Sequence, residues 1–290
     1  MYICRTRTKR YLLHFCETHP LTAHHPVPDK NFQEKPLLAV ETATPVCSVA
    51  LRLPDGRIIE ERDEGRGVHS RRTLQFADRL LRDSGCKAAG LGGVFLSAGP
   101  GSYTGLRVGA SALKGLVFRT GVPFFACHTL GLIALGAFRL LDKAGKGGPG
   151  LSCEAVIDAR RQHFYHQRWR LGQSDLCAET PVQIMELDKV CAWRDGGRFV
   201  AGTGLERLPP VDVLHSDATL LQKLQSPELI RATHVLEFVG KNPDHIHRAD
   251  TPGGSQSSST RSIEPSQEVP DRIIRAVSPE YFEPFYYSGL

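Results

Sequence analysis

Short apolar runs separated by turn residues dominate the first half of the chain. Leu37-Leu38-Ala39-Val40, Val94-Phe95-Leu96-Ser97-Ala98 and Val122-Pro123-Phe124-Phe125-Ala126 carry no charge and predict strands buried on both faces. Cys47 to Leu51 and Ile58 to Glu60 predict a strand pair closed by the Pro54-Asp55-Gly56-Arg57 turn. Helical spacing predicts a helix over 69–82, capped by Ser70, with Leu74, Ala77 and Leu81 along its inner stripe. A second helix follows Ser102, and a third starts at Thr129 with Leu130, Ile133, Ala134, Ala137 and Leu141 inward. Past the Gly/Lys-rich stretch 143–150 the pattern weakens. There Glu154–Asp158 and Gln162–Arg170 predict a hairpin across Ala159-Arg160-Arg161, Phe199–Gly204 a strand and turn, and Pro227–Val239 a helix.

The most distinctive stretch is Gly99-Pro100-Gly101-Ser102-Tyr103-Thr104-Gly105-Leu106-Arg107-Val108-Gly109. A strand, a glycine turn and a helix N-terminus together offer free N–H groups to an anion. Yet its glycine spacing is not that of a dinucleotide loop, and no Lys-Ser/Thr follows as in a P-loop. Gly105, Gly109 and Ala112 fall three or four apart, which leaves one helix face almost bare. That face is expected to be a packing surface for another helix rather than a ligand site. The competing reading is a tightly packed internal βα unit.

Composition narrows the setting. At 290 residues and 41% hydrophobic content the chain has material for two modest domains. The net charge of +5 is mild and concentrated in the basic leader, with Arg5, Arg7, Lys9 and Arg10. A near-neutral body argues against a dedicated phosphate-tracking groove, so a nucleic-acid role is expected to be indirect. Eight scattered cysteines without a C-x-x-C pair point to a reducing, cytoplasmic setting. The uncharged stretch 121–138 is broken by Pro123, His128 and glycines, so no membrane span is expected. Residues 1–35 read as a flexible basic extension, either a transit peptide or sequence upstream of a misplaced start. The polar, Ser- and Pro-rich stretch 241–270 predicts disorder, and the aromatic tail 271–290 is expected to dock back.

The opening strand, hydroxyl-rich turn and antiparallel pair resemble the start of the actin/hexokinase/heat-shock ATPase (ASKHA) superfamily. The sequences Glu41-Thr-Ala-Thr44, Cys47-Ser-Val-Ala-Leu51, His69-Ser70, the Gly99–Gly109 run and Val156-Ile-Asp-Ala-Arg160 resemble the TsaB (YeaZ) family of bacterial threonylcarbamoyladenosine synthesis. The likeness runs from Leu37 to about Arg168. The closing Val277-Ser-Pro-Glu-Tyr281 departs from the family pattern at Phe282 and Glu283.

The resemblance implies an α/β, two-domain actin-like/hexokinase-like ATPase fold with mixed sheets flanked by helices: an N-terminal domain over 36–148 and a smaller, divergent one over 149–240. It implies a non-catalytic scaffold supporting a TsaD-like paralogue. With a TsaE-like ATPase, that paralogue transfers a threonylcarbamoyl group to the adenosine beside the tRNA anticodon. ATP and metal are then expected on the partner subunits, and tRNA reaches this chain through the complex. The expected interface is His69, Ser70, Leu74, Gly101, Ser102, Tyr103, Thr104, Gly105, Arg107, Gly109 and Ala112, and the same helices offer a homodimer surface. Glu41, Thr42, Thr44 and Ser48 occupy degenerate phosphate-loop positions. No catalytic or metal-ligating residue is assigned, because no His-x-x-x-His pair occurs and His163 and His166 face opposite sides of a predicted strand. His69 has an exposed helix-start role as its alternative, Arg107 a solvated one, and Asp158 reads as a turn residue. The competing functions are an active ASKHA-fold ATPase or small-molecule kinase, which needs a second acidic phosphate loop, and a peptidase, for which Ser102 has no evident base.

Overall fold

The computed structural model describes residues 32–173, 175–210, 229–242 and 273–277, with residues 224, 279 and 282–284 besides. The expected leader up to residue 31, most of the 241–270 stretch and most of the tail lie outside the described residues. Two sheets organise the chain. Among the described residues the first holds six strands and the second five.

The first sheet starts from the apolar runs. β1 (Leu37–Glu41) lies parallel to β4 (Gly93–Gly99), which lies parallel to β5 (Phe124–His128). β2 (Val46–Arg52) and β3 (Ile58–Glu64) extend the sheet antiparallel on the other side. The two-residue period of the strands divides the core. Leu38, Val40, Val49 and Leu96 face a layer made by α1 (Val68–Asp83) and α2 (Tyr103–Leu116). Leu37, Ala39, Ala50 and Phe95 face α3 (Thr129–Lys143).

In the second sheet β6 (Ser152–Asp158) and β7 (His163–Leu171) form the expected hairpin, flanked by β8 (Leu176–Ala178) and β9 (Gln183–Glu186). α4 (Leu187–Asp195) follows β9, and β10 (Val200–Gly202) lies parallel to β6. α5 (Ala232–Lys241) returns to the first sheet beside β1 and β2, and β11 (Ile274–Val277) closes that sheet antiparallel to β5. α3 packs on both sheets, so one continuous apolar cluster joins Phe125 and Ile133 to Cys153 and Trp169.

Several local expectations are corrected. The buried stripe of α1 is Thr73, Phe76, Ala77, Leu80 and Leu81, and Leu74 is 53% exposed. A helix wraps 100° per residue, so Leu74 falls outside the arc centred on Phe76, Ala77 and Leu80. The α1 N-cap is Gly67 at φ 70°, and the Ser70 hydroxyl donates to the Gly67 carbonyl at 3.2 Å. Thr129 is the first residue of α3; its hydroxyl accepts from Gly99 N at 3.1 Å, tying α3 to the end of β4. The helix expected from Pro227 begins at Ala232, with Arg231 extended before it. Residues 32–34 already belong to the body, because Phe32 is buried in the core and Gln33 donates to the Val239 carbonyl at 3.2 Å.

Candidate functional site

The β1–β2 turn, residues 42–45, lies under the start of α2. β1 ends on Glu41, whose side chain is fully buried. Its Oε1 accepts from Ala43 N at 2.7 Å, and its Oε2 shares a hydrogen bond with the Ser97 hydroxyl on β4. Burial pushes the Glu41 carboxyl up to about 8, although the Ala43 N–H pulls the other way. Near neutrality this is a protonated acid. Thr42, Thr44 and Ser48 are buried as well. The Ser48 hydroxyl donates to Glu60 at 2.6 Å and accepts from Ala232 N at 2.8 Å, which joins β2, β3 and α5. Arg231 completes that link through its own ion pair with Glu60.

The glycine run closes over this turn. The Gly99-Pro100 bond is cis. Ser102 N donates to the Ala43 carbonyl at 2.7 Å, and the Ser102 hydroxyl caps α2 by accepting from Gly105 N at 3.2 Å. A Cβ at Gly101 would sit 2.5 Å from the Ala43 carbonyl oxygen, one at Gly105 would overlap the Thr42 carbonyl, and one at Gly109 would overlap the Thr42 hydroxyl. Only glycine permits these approaches. All four degenerate phosphate-loop positions, Glu41, Thr42, Thr44 and Ser48, are thus enclosed by the chain itself. The Thr42 hydroxyl is covered by α2 and has no hydrogen-bond partner among the described residues, and the other polar groups point to internal ones.

The expectation of an open glycine strip is corrected by the same contacts. Gly105 and Gly109 are buried against the chain's own β1–β2 turn, Gly109 against Leu96 as well, and Ala112 is buried too. Sequence spacing identified a face built for close approach, but what approaches it is this chain. His69 joins the same contact. It is half-buried, and its Nε2 donates to the Thr44 carbonyl at 2.8 Å, which fixes that tautomer because a carbonyl only accepts. The Thr73 hydroxyl donates to the His69 carbonyl at 2.7 Å one turn on.

The remaining expected residues form the outer face of the same two helices. Ser70 and Leu74 on α1, and Ser102, Tyr103, Thr104 and Arg107 at the start of α2, are exposed. Tyr103 is 52% exposed, and the Arg107 guanidinium lies 4.0 Å from the centre of its ring. α1 and α2 pack against each other, so Leu74 and Tyr103 sit on one layer. Asp158, expected in the turn, is instead the last residue of β6, and its carboxylate reaches over that turn, accepting from Arg160 N at 2.7 Å and pairing with Arg207 at 3.0 Å. Sequence reasoning missed the buried pair of His166 with Glu154 at 2.7 Å, which Arg198 joins at 2.9 Å. His166 and Glu154 stand on neighbouring strands of the hairpin, and their register was the available signal. Among the described residues no group of three or more His, Cys, Asp or Glu is arranged to hold a metal ion.

Two mixed sheets flanked by helices give the chain an actin-like α/β fold, as the sequence led us to expect. YeaZ from Pseudomonas aeruginosa superposes with a TM-score of 0.58 at 22% identity, over 87% of this chain and 100% of that one. A second solved structure, described as similar to peptidase YEAZ from that organism, gives 0.59 at 24% identity over 87% and 99%. By sequence, the TsaB protein of Haemophilus influenzae is 34% identical over 133 residues, 46% of this chain and 53% of the relative. TsaB of Escherichia coli is 31% identical over 140 residues, 48% and 57% respectively. Both relatives are described as tRNA threonylcarbamoyladenosine biosynthesis proteins. The family model of TsaD, tRNA N6-adenosine threonylcarbamoyltransferase, matches residues 65–197. The chain spans about half the length of the curated relatives it matches. The resemblance to the TsaB (YeaZ) family thus holds both in sequence and in fold.

Proposed function

We propose that this chain serves tRNA threonylcarbamoyladenosine biosynthesis as a non-catalytic scaffold, supporting a TsaD-like catalytic paralogue. The single observation that carries this reading is the filled turn. Where an ATPase of this architecture would present backbone and hydroxyl donors to phosphate, the first turn of α2 lies against Thr42 and Ala43. Glu41, at the carboxylate position, is fully buried and turned to Ala43 N and the Ser97 hydroxyl. Chemistry then belongs to the paralogue and to a TsaE-like ATPase, which carry the ATP and metal, and tRNA reaches this chain through that complex.

The docking surface is the outer face of α1 and α2, with Leu74 and Tyr103 as apolar anchors and Ser70, Thr104 and Arg107 around them. A large aromatic ring held by a neighbouring guanidinium is the kind of residue on which interfaces concentrate their energy. The glycines act from beneath by fixing how α2 lies on the sheet. A second copy of this chain would use the same face in the absence of the paralogue. Among the described residues no helix is long and apolar enough to cross a membrane.

Co-purification with the TsaD-like protein tests the reading. Leu74→Asp with Tyr103→Asp should abolish it while the thermal midpoint stays within about 2 °C, as exposed substitutions do. Retained association would sink the docking assignment. ATP turnover by the isolated chain that disappears in Glu41→Gln would instead establish the ATPase or kinase reading. The peptidase reading has no support in geometry, since the Ser102 hydroxyl accepts from Gly105 N and His69 Nε2 is committed to Thr44.

A further inference from the structure

The β6–β7 hairpin ends in a turn whose backbone is unfavourable for its residues. Arg160 and Arg161 both have left-handed backbones, at φ 69° and φ 51°. Glycine, Asn and Asp take that conformation readily, whereas a long side chain pays a steric penalty at each position. Strain of this kind persists where the surrounding structure holds it. Here it is held on every side. Arg160 N donates to Asp158 at 2.7 Å, and Arg207 donates to the Arg161 carbonyl at 2.7 Å and the His163 carbonyl at 3.3 Å. Leu187 N, at the start of α4, donates to the Gln162 carbonyl at 2.9 Å. Arg207 is itself anchored over the Phe164 ring, 4.8 Å from its centre.

The two guanidiniums are what this rigid tip presents. Both residues are exposed, and neither has an ion-pair partner among the described residues. The contrast with nearby arginines is sharp. Arg168, Arg170, Arg194, Arg198 and Arg207 each reach a carboxylate. Asp158, the acid nearest in sequence, is already committed to Arg207 and to Arg160 N. Glu186 and Glu206 on the adjoining segments make no ion pair with either arginine. A rigid hairpin tip with two adjacent uncompensated forks matches neighbouring phosphates of a nucleic-acid backbone, each fork binding two oxygens.

We infer that Arg160 and Arg161 form a phosphate-contacting tip that rests on the RNA backbone. The inference builds on the tRNA reading above and adds a contact made by this chain itself. Such a contact positions the RNA and reads no sequence.

The test titrates labelled bulk tRNA into the full chain at several salt concentrations, comparing wild type with Arg160→Asn/Arg161→Gly and with Arg160→Lys/Arg161→Lys. The Asn-Gly variant removes both charges and suits the left-handed backbone. It should bind about tenfold more weakly at low salt, with a salt slope shallower by about two. It should also melt about 2–4 °C higher, so lost binding is not lost folding. The Lys-Lys variant should keep the slope and bind more weakly than wild type. Equal tRNA affinity of wild type and Asn-Gly at every salt concentration overturns the inference. Calorimetric binding of inorganic phosphate that is lost in Asn-Gly while tRNA affinity is unchanged assigns the tip to a small anion and overturns it too. Co-purification of the TsaD-like partner, run on the same variants, separates the two readings. A chain that binds tRNA through the tip but takes no partner keeps this inference and loses the scaffold, and the reverse pattern does the opposite.

Discussion

Thr42 and Gly105 meet backbone to backbone, close enough that a Cβ on Gly105 would overlap the Thr42 carbonyl. Gly105→Ala therefore cannot be absorbed by a side-chain shift, because the obstacle is main chain at the end of a central strand. The variant should lose about 2–4 kcal/mol of stability or fail to fold. Gly115, on the same helix with nothing within 4 Å of its Cβ position, is the control. Gly115→Ala should gain about 0.5–1 kcal/mol from helix propensity alone. Urea unfolding of both variants measures the difference, and equal destabilisation would show that α2 lies elsewhere.

Glu41 makes stability fall with rising pH. Its carboxyl titrates near 8 when folded, against 4.5 for the ordinary group. Between those values the unfolded chain releases a proton that the folded chain keeps, so ionisation favours unfolding. The slope is about 1.4 kcal/mol per pH unit at its steepest, and the loss is complete above the folded value. Glu41→Gln keeps an acceptor for Ala43 N and supplies a donor for Ser97 without a charge. Denaturation midpoints at pH 5, 6.5 and 8 should show the variant gaining on wild type as pH rises. Parallel profiles would mean that Glu41 is ionised in the folded chain.

Much of this was legible in the sequence, for reasons that also explain what was not. The runs at 37–41 and 93–99 are buried on both faces, so uninterrupted apolar sequence marks them as central strands. The spacing of Gly105 and Gly109 revealed a face made for close contact, yet periodicity carries no information about which backbone arrives there. Thr42 lies far away along the chain and comes under α2 only because β1 and β4 are neighbours. β9 was missed because pairing with β7, rather than its own pattern, holds it: Gln183, Ile184 and Glu186 are all exposed. α4 was missed because it buries only Val190 and Trp193, too few to show a helical stripe. The state of Glu41 depends on Ser97, 56 residues on, and on the lack of a cation beside it among the described residues.

His128 pulls in the other direction at acid pH. Its ring packs on Trp169 at 5.8 Å, its Nδ1 is buried without a hydrogen-bond partner among the described residues, and burial pushes its titration down to about 4. The folded chain keeps the ring neutral, while the unfolded chain binds a proton below about 6.5. The stability that neutral His128 permits is thus present above pH 6.5 and is lost as pH falls towards 4. His128→Phe should be more stable than wild type by about 1–2 kcal/mol at pH 5 and by much less at pH 7. Thermal unfolding at the two pH values reads this directly, and an equal gain at both would assign the effect to packing.

Glu154 anchors the second sheet beneath α4. Its carboxylate is buried, and burial alone would raise its titration. The hydrogen bonds from His166 and Arg198 outweigh that and hold it below the usual carboxylate range. The His166 ring in turn lies 4.5 Å from the Trp193 ring of α4. Glu154→Leu strips the buried His166 Nε2 of its acceptor, whereas Arg198 is half exposed and can return to water. The single variant should lose about 3 kcal/mol, most of it the penalty of an orphaned polar ring rather than the worth of the pair. Glu154→Leu with His166→Leu should recover at least half of that, because two apolar side chains need no partner in the same space. Chemical denaturation of the two single variants and the double closes the cycle, and strict additivity would mean that the two side chains act independently.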